Sequence, residues 1–116
     1  MEKIVIIDDE EDIADILELL LEDEYKIYKS YRALPGEKII KEQKPAIVFL
    51  DIDLPDKSGL DVLKDLEAPD SVNVILMSGK VDMGEETAKS LGTRTFIQKP
   101  FTQNRIKEVI KEILNK

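Results

Sequence analysis

The spacing of apolar residues constrains this chain more than any other feature. Residues 4–7, 46–50 and 72–77 are nearly continuous hydrophobic runs, each too short for a helix. Such runs fit parallel strands buried on both faces. Between them lie stretches whose apolar residues recur every three or four positions, as in helices packed by one face. Residues 25–29 alternate apolar and charged, which predicts an edge strand whose Lys26 and Lys29 discourage further pairing. Residues 95–98 supply a fifth strand.

The first helix is expected over 11–22, with the stripe Ile13, Ile16, Leu17, Leu20 and acids in its first turn, where the helix dipole favours them. A short helix is expected over 37–43 with Pro35 in its first turn, and another over 60–66. A fourth spans 83–91, with Gly84 near its start and Gly92 as its C-terminal cap. Thr102 should cap a last helix whose stripe is Ile106, Val109, Ile110, Ile113, Leu114. Right-handed β-α-β units then give an α/β fold, a five-stranded parallel sheet doubly wound with five helices. In the flavodoxin-like order 2-1-3-4-5, the ends of strands one and three flank the switch-point crevice, where such folds place their sites.

Composition narrows the classes. With 116 residues, the chain is expected to be one domain, 1–116. It has no cysteine, so neither a disulfide framework nor a zinc-thiolate site is available. No apolar stretch approaches the roughly 18 residues of a membrane span, and no signal-peptide pattern opens the chain. A cytoplasmic, soluble protein is the expectation. The net charge of −8 argues against direct nucleic-acid binding.

The polar residues that end the apolar runs form a set. Asp8 and Asp9 follow the first run, Asp51 the third, Ser78 the fourth, and Lys99 follows the fifth and precedes Pro100. Hard carboxylate oxygens suit Mg²⁺, a carboxylate is a competent nucleophile, and lysine is a compact point cation. Capping acids, a solvated aspartate and a surface lysine would each explain one member of the set, but not the set together.

Four segments carry a resemblance: Ile7-Asp8-Asp9-Glu10, the stretch from Leu50 to Gly59, Met77-Ser78-Gly79, and Gln98-Lys99-Pro100-Phe101. In this order and spacing the chain resembles, along its whole length, the receiver domain of bacterial two-component response regulators. The resemblance implies that Asp51 is the phosphoacceptor. It implies that Asp8 and Asp9 bind Mg²⁺ with Asp51, Asp9 directly and Asp8 mainly through water, and that the backbone carbonyl of Asp53 is a further ligand. Lys99 would pair with Asp51 and then with the phosphoryl oxygens, preceding a cis Lys99–Pro100 bond. Ser78 would be the switch hydroxyl and Phe96 the aromatic switch residue. The donor would be a sensor histidine kinase or a histidine phosphotransfer protein. The chain has no histidine, so it cannot be its own phosphohistidine donor. Ile13, Ala14, Pro100 and Phe101 are candidates for the contact with that partner.

The sequence also departs from the family pattern. The interval from Ser78 to Lys99 is one residue shorter than expected, which affects the fourth helix. Asp53 and Lys80, two positions after Asp51 and Ser78, have opposite charges, and their pairing across the mouth would hinder a hydrolytic water. The leading expectation is a stand-alone receiver that is not a turnover enzyme, ends with its last helix and acts on an unknown downstream target. The competing readings are a receiver excised from a longer DNA-binding regulator, a pseudo-receiver that only binds partners, and a turnover phosphatase with Asp53 as general acid.

Overall fold

A computed structural model describes residues 1–66, 72–79 and 95–114. Its strands are β1 (Lys3–Ile7), β2 (Lys26–Ser30), β3 (Ile47–Asp51), β4 (Asn73–Ser78) and β5 (Thr95–Gln98). They form one sheet in the order β2-β1-β3-β4-β5, and every pairing is parallel. The helices among the described residues are α1 (Glu11–Leu21), α2 (Ala33–Gln43), α3 (Gly59–Asp65) and α4 (Gln103–Leu114). Four of the expected five helices are therefore found among the described residues. The helix predicted over 83–91, with Gly84, Gly92 and the shortened interval, lies outside the described residues, as does Lys80.

Alternation along the strands divides the core in two. Ile4, Ile6, Ile47, Phe49, Ile75, Met77 and Ile97 face α1 and α4, where they meet Ala14, Leu17, Leu21, Ile106, Val109 and Ile110. Val5, Ile7, Val48, Leu50, Val74 and Leu76 face α2 and α3, where they meet Ala33, Ile40, Val62 and Leu63. Helices thus cover both faces of the sheet, as the continuous apolar runs require. Thr102 caps α4 as expected, its Oγ1 accepting from the Arg105 amide at 3.1 Å.

Three expectations need correction. In α1 the buried residues are Ala14, Leu17 and Leu21, while Ile16 is 46% exposed. The core face is centred on the small Ala14, so weighing the large side chains alone rotates the predicted stripe. Ala14, fully buried, is packing and is not available for partner contact. The edge position of β2 is as expected, and its Lys29 has a further role. It reaches back to α1, 2.8 Å from Asp15 and 2.9 Å from Glu18. Finally, α2 starts at Ala33, four residues before the expected start. Pro35 is tolerated there because the first turn has no intrahelical use for its missing N–H.

Candidate functional site

The chemistry-bearing residues converge because sheet pairing continues just past the strand ends. The Asp8 amide donates to the Ser30 carbonyl at 3.0 Å, the Ile52 amide to Met77 at 3.0 Å, and the Lys99 amide to Ser78 at 2.9 Å. These bonds set Asp8, Asp51, Ser78 and Lys99 along the carboxyl-terminal edge of β1, β3, β4 and β5. Asp8, Asp51 and Ser78 are all buried. Asp9 is exposed at the rim.

Lys99 is the hub. Its Nζ lies 2.8 Å from Asp8 Oδ2, 2.9 Å from Glu10 Oε1 and 3.3 Å from Asp51 Oδ2. Burial works against this ammonium, but its bonds to Asp8 and Glu10 and the charges of Asp8 and Asp51 outweigh it and raise the lysine pKa. The carboxylate pKa values rise as well, which for an acid disfavours the charged form. Burial raises the pKa of Asp8 against the pull of Lys99 and of the Glu10 amide. Burial, with the charge of Asp8, raises that of Asp51 from 3.8 to about 6, although the Asp53 amide and Lys99 both oppose the shift. One ammonium is thus shared among more carboxylates than it can neutralise. The Lys99–Pro100 peptide is cis, as the resemblance implies.

The Asp51 carboxylate is gripped from both sides, Oδ1 by the Asp53 amide at 3.1 Å and Oδ2 by Lys99. Ser78 Oγ donates to Asp53 Oδ2 at 3.2 Å. Behind Asp51, α3 begins so close to β3 that a side chain on Gly59 would overlap the Asp51 carbonyl and the Ile52 backbone. Ser58 caps this helix, accepting from the Leu60 amide at 3.2 Å. Phe96 is half-buried and packs beside Leu76 on the α2–α3 side of the sheet.

The donor set fits a hard divalent cation. Carboxylate oxygens of Asp8, Asp9, Glu10 and Asp51 lie within 4.8 Å of one another. Asp8 Oδ2 is buried without a hydrogen bond of suitable direction, although the Lys99 ammonium stands beside it. An oxygen so placed can still accept from a cation-bound water.

Of the residues predicted from sequence, Asp8, Asp9, Asp51, Asp53, Ser78 and Lys99 all meet at this edge. Sequence reasoning gave no site role to Glu10, which joins both the acidic cluster and the lysine. Its position directly after the acidic pair was the available signal. It also passed over Asp56 and Lys57, which tie the loop after Asp51 to α2 and α3. Asp56 Oδ1 and Oδ2 accept from the Ala33 and Leu34 amides at 2.8 and 2.9 Å, and Lys57 pairs with Glu37 and Asp65.

A family model described as the response regulator receiver domain matches residues 4–111. Solved structures agree. A CheY-like receiver domain protein from Methanospirillum hungatei is 25% identical, with a TM-score of 0.90 over 99% of this chain and 94% of that one. A receiver domain protein from Clostridium thermocellum is 27% identical, with a TM-score of 0.88 over 99% and 95%. NtrX from Brucella abortus is 31% identical, with a TM-score of 0.84 over 98% of this chain but only 27% of its own length.

Proposed function

Because the chain belongs to the response regulator receiver domain family of two-component signalling, we propose that it accepts a phosphoryl group on Asp51 from the phosphohistidine of a sensor kinase or phosphotransfer protein. The observation that carries this reading is the buried Asp51 carboxylate, held 3.3 Å from Lys99 beside the acidic cluster. A carboxylate oxygen of Asp51 forms the new bond to phosphorus while the phosphorus–nitrogen bond of the donor breaks, and the imidazole leaves with that electron pair. Such a transfer asks mainly for positioning and charge neutralisation.

The chain's own residues supply the positioning. The Asp53 amide and Lys99 fix the direction of the nucleophile. As the phosphoryl group arrives, Lys99 transfers its donors from the carboxylates to the phosphoryl oxygens. Ser78 turns its hydroxyl from Asp53 to the same group, with Phe96 following it as the switch. Asp9 and Asp51, with the Asp53 carbonyl, would hold Mg²⁺ directly, and Asp8 would act through water. When bound, Mg²⁺ supplies positive charge against both the carboxylates and the phosphoryl oxygens.

Incubation with a panel of phosphorylated histidine kinases should move label onto the wild type and not onto Asp51→Ala. Equal labelling of the two would refute Asp51 as acceptor. A second reading, the receiver portion of a longer regulator, is supported by the partial match to NtrX. Sequencing the gene past the codon for Lys116 decides it.

A further inference from the structure

The loop between β3 and α3 carries Asp53, whose amide orients Asp51 and whose side chain receives the Ser78 hydroxyl. A turn-rich segment of this kind is a poor platform for a site unless something holds it. Here the two residues at its far end provide anchorage. Asp56 spends both carboxylate oxygens on the first amides of α2, Ala33 at 2.8 Å and Leu34 at 2.9 Å. Those amides have no intrahelical acceptor, and bonding to them lowers the Asp56 pKa. Lys57 adds a second anchor, 2.7 Å from Glu37 of α2 and paired with Asp65 of α3.

The helix at the other end of these contacts is itself fixed to the strand that bears the acidic pair. A side chain on Gly36 would lie 2.5 Å from Ile7 Cδ1, so α2 rests directly on the last residue of β1. Ile7 precedes Asp8. A continuous path of contacts therefore runs from Asp8 through Ile7 and α2 to Asp56, and along the loop to Asp53 and Asp51. It connects the two halves of the acidic cluster on the side of the sheet away from α1.

We propose that Asp56 and Lys57 are positioning residues for the phosphoacceptor site, bracing the loop that carries Asp53 against α2 so that the cation ligands on β1 and β3 keep their spacing. The inference rests on the Mg²⁺ reading of the site given above. It has a reciprocal consequence, because coupling between two events acts equally in both directions. If the brace tightens cation binding, the cation tightens the brace.

The test is Mg²⁺ titration by calorimetry of the wild type, Asp56→Ala, Asp56→Asn and Lys57→Met, with hydrogen exchange at the Ala33 and Leu34 amides of the wild type. Loss of the Asp56 cap should weaken Mg²⁺ binding by about fivefold, in line with the usual strength of such caps. Asp56→Asn, which keeps one acceptor, should recover part of the loss, and Lys57→Met should weaken binding in the same direction. Saturating Mg²⁺ should slow exchange at Ala33 and Leu34 in the wild type by a similar factor. Wild-type affinity in folded Asp56→Ala and Lys57→Met would overturn the proposal, even if their melting temperatures fall, because Asp56 would then only cap a helix. Should Asp56→Ala not fold, Lys57→Met and the exchange measurement decide the matter alone. A wild type that binds no Mg²⁺ would instead overturn the cation reading, and this inference with it.

Discussion

Asp51 and Lys99 show what the site costs the fold. The pKa of Asp51 lies at about 6 in the folded chain against an ordinary 3.8, burial being the first cause. The folded state therefore holds that proton more tightly than the unfolded state does. Between those two values stability falls as pH rises, and above about 6 the loss is complete. Asp51→Asn should raise the unfolding free energy in metal-free buffer at neutral pH by about 1–3 kcal/mol, with the gain shrinking toward zero as pH falls to the ordinary carboxyl range. Urea titrations across that range check both size and trend, and a gain independent of pH would contradict the assignment. Lys99 should behave in the opposite way. Lys99→Met strands Asp8 and Asp51 without their ammonium, so it should destabilise the metal-free protein by about 3 kcal/mol. An unchanged urea midpoint would show that the lysine is not the hub of the site.

Among the elements, the start of α3 sets the tightest tolerance. Gly59→Ala would ordinarily stabilise a helix by about 1 kcal/mol. Here the added carbon meets backbone at Asp51 and Ile52, which cannot move without moving the nucleophile. The substitution should be net destabilising by about 2 kcal/mol or more, and thermal melts of the purified variant measure it. The strands and the polar residues that end them were legible in the sequence, because continuous apolar runs are local signals; the order β2-β1-β3-β4-β5, which brings Asp8, Asp51, Ser78 and Lys99 together, followed only from the flavodoxin-like fold class. The face of α1 was legible only in part: Ile13, Leu17 and Leu20 pack on the core as expected, but Ala14, which carries little weight in a hydrophobic pattern, is fully buried where Ile16 is exposed. The start of α2 was hidden for another reason. Its cap is Asp56, more than twenty residues away in sequence, and no local pattern reports a cap supplied by another loop. Glu10 was overlooked because a glutamate at the head of a helix looks like dipole compensation, whereas its carboxylate reaches Lys99.

For the whole molecule, two halves of a sheet converge on a cluster that holds more negative than positive charge. Two unit charges about 4 Å apart interact by about 4 kcal/mol at an effective dielectric of 20, so the metal-free state carries appreciable repulsion. Mg²⁺ at millimolar concentration should raise the melting temperature by mass action. Asp9→Asn should raise it in metal-free buffer and reduce the Mg²⁺ response. Scanning calorimetry with and without Mg²⁺ checks both, and a melt insensitive to the cation and to Asp9→Asn would show that the acidic cluster is not a cation site. Beyond stability, a cluster kept under this repulsion suits the proposed transfer of a phosphoryl group to Asp51. Intact-mass spectrometry after incubation with a small phosphodonor such as acetyl phosphate tests that transfer without a partner protein. One added phosphoryl group per chain is expected, dependent on Mg²⁺ and absent from Asp51→Ala. An adduct that persists in Asp51→Ala, or none in the wild type with Mg²⁺ present, would contradict it.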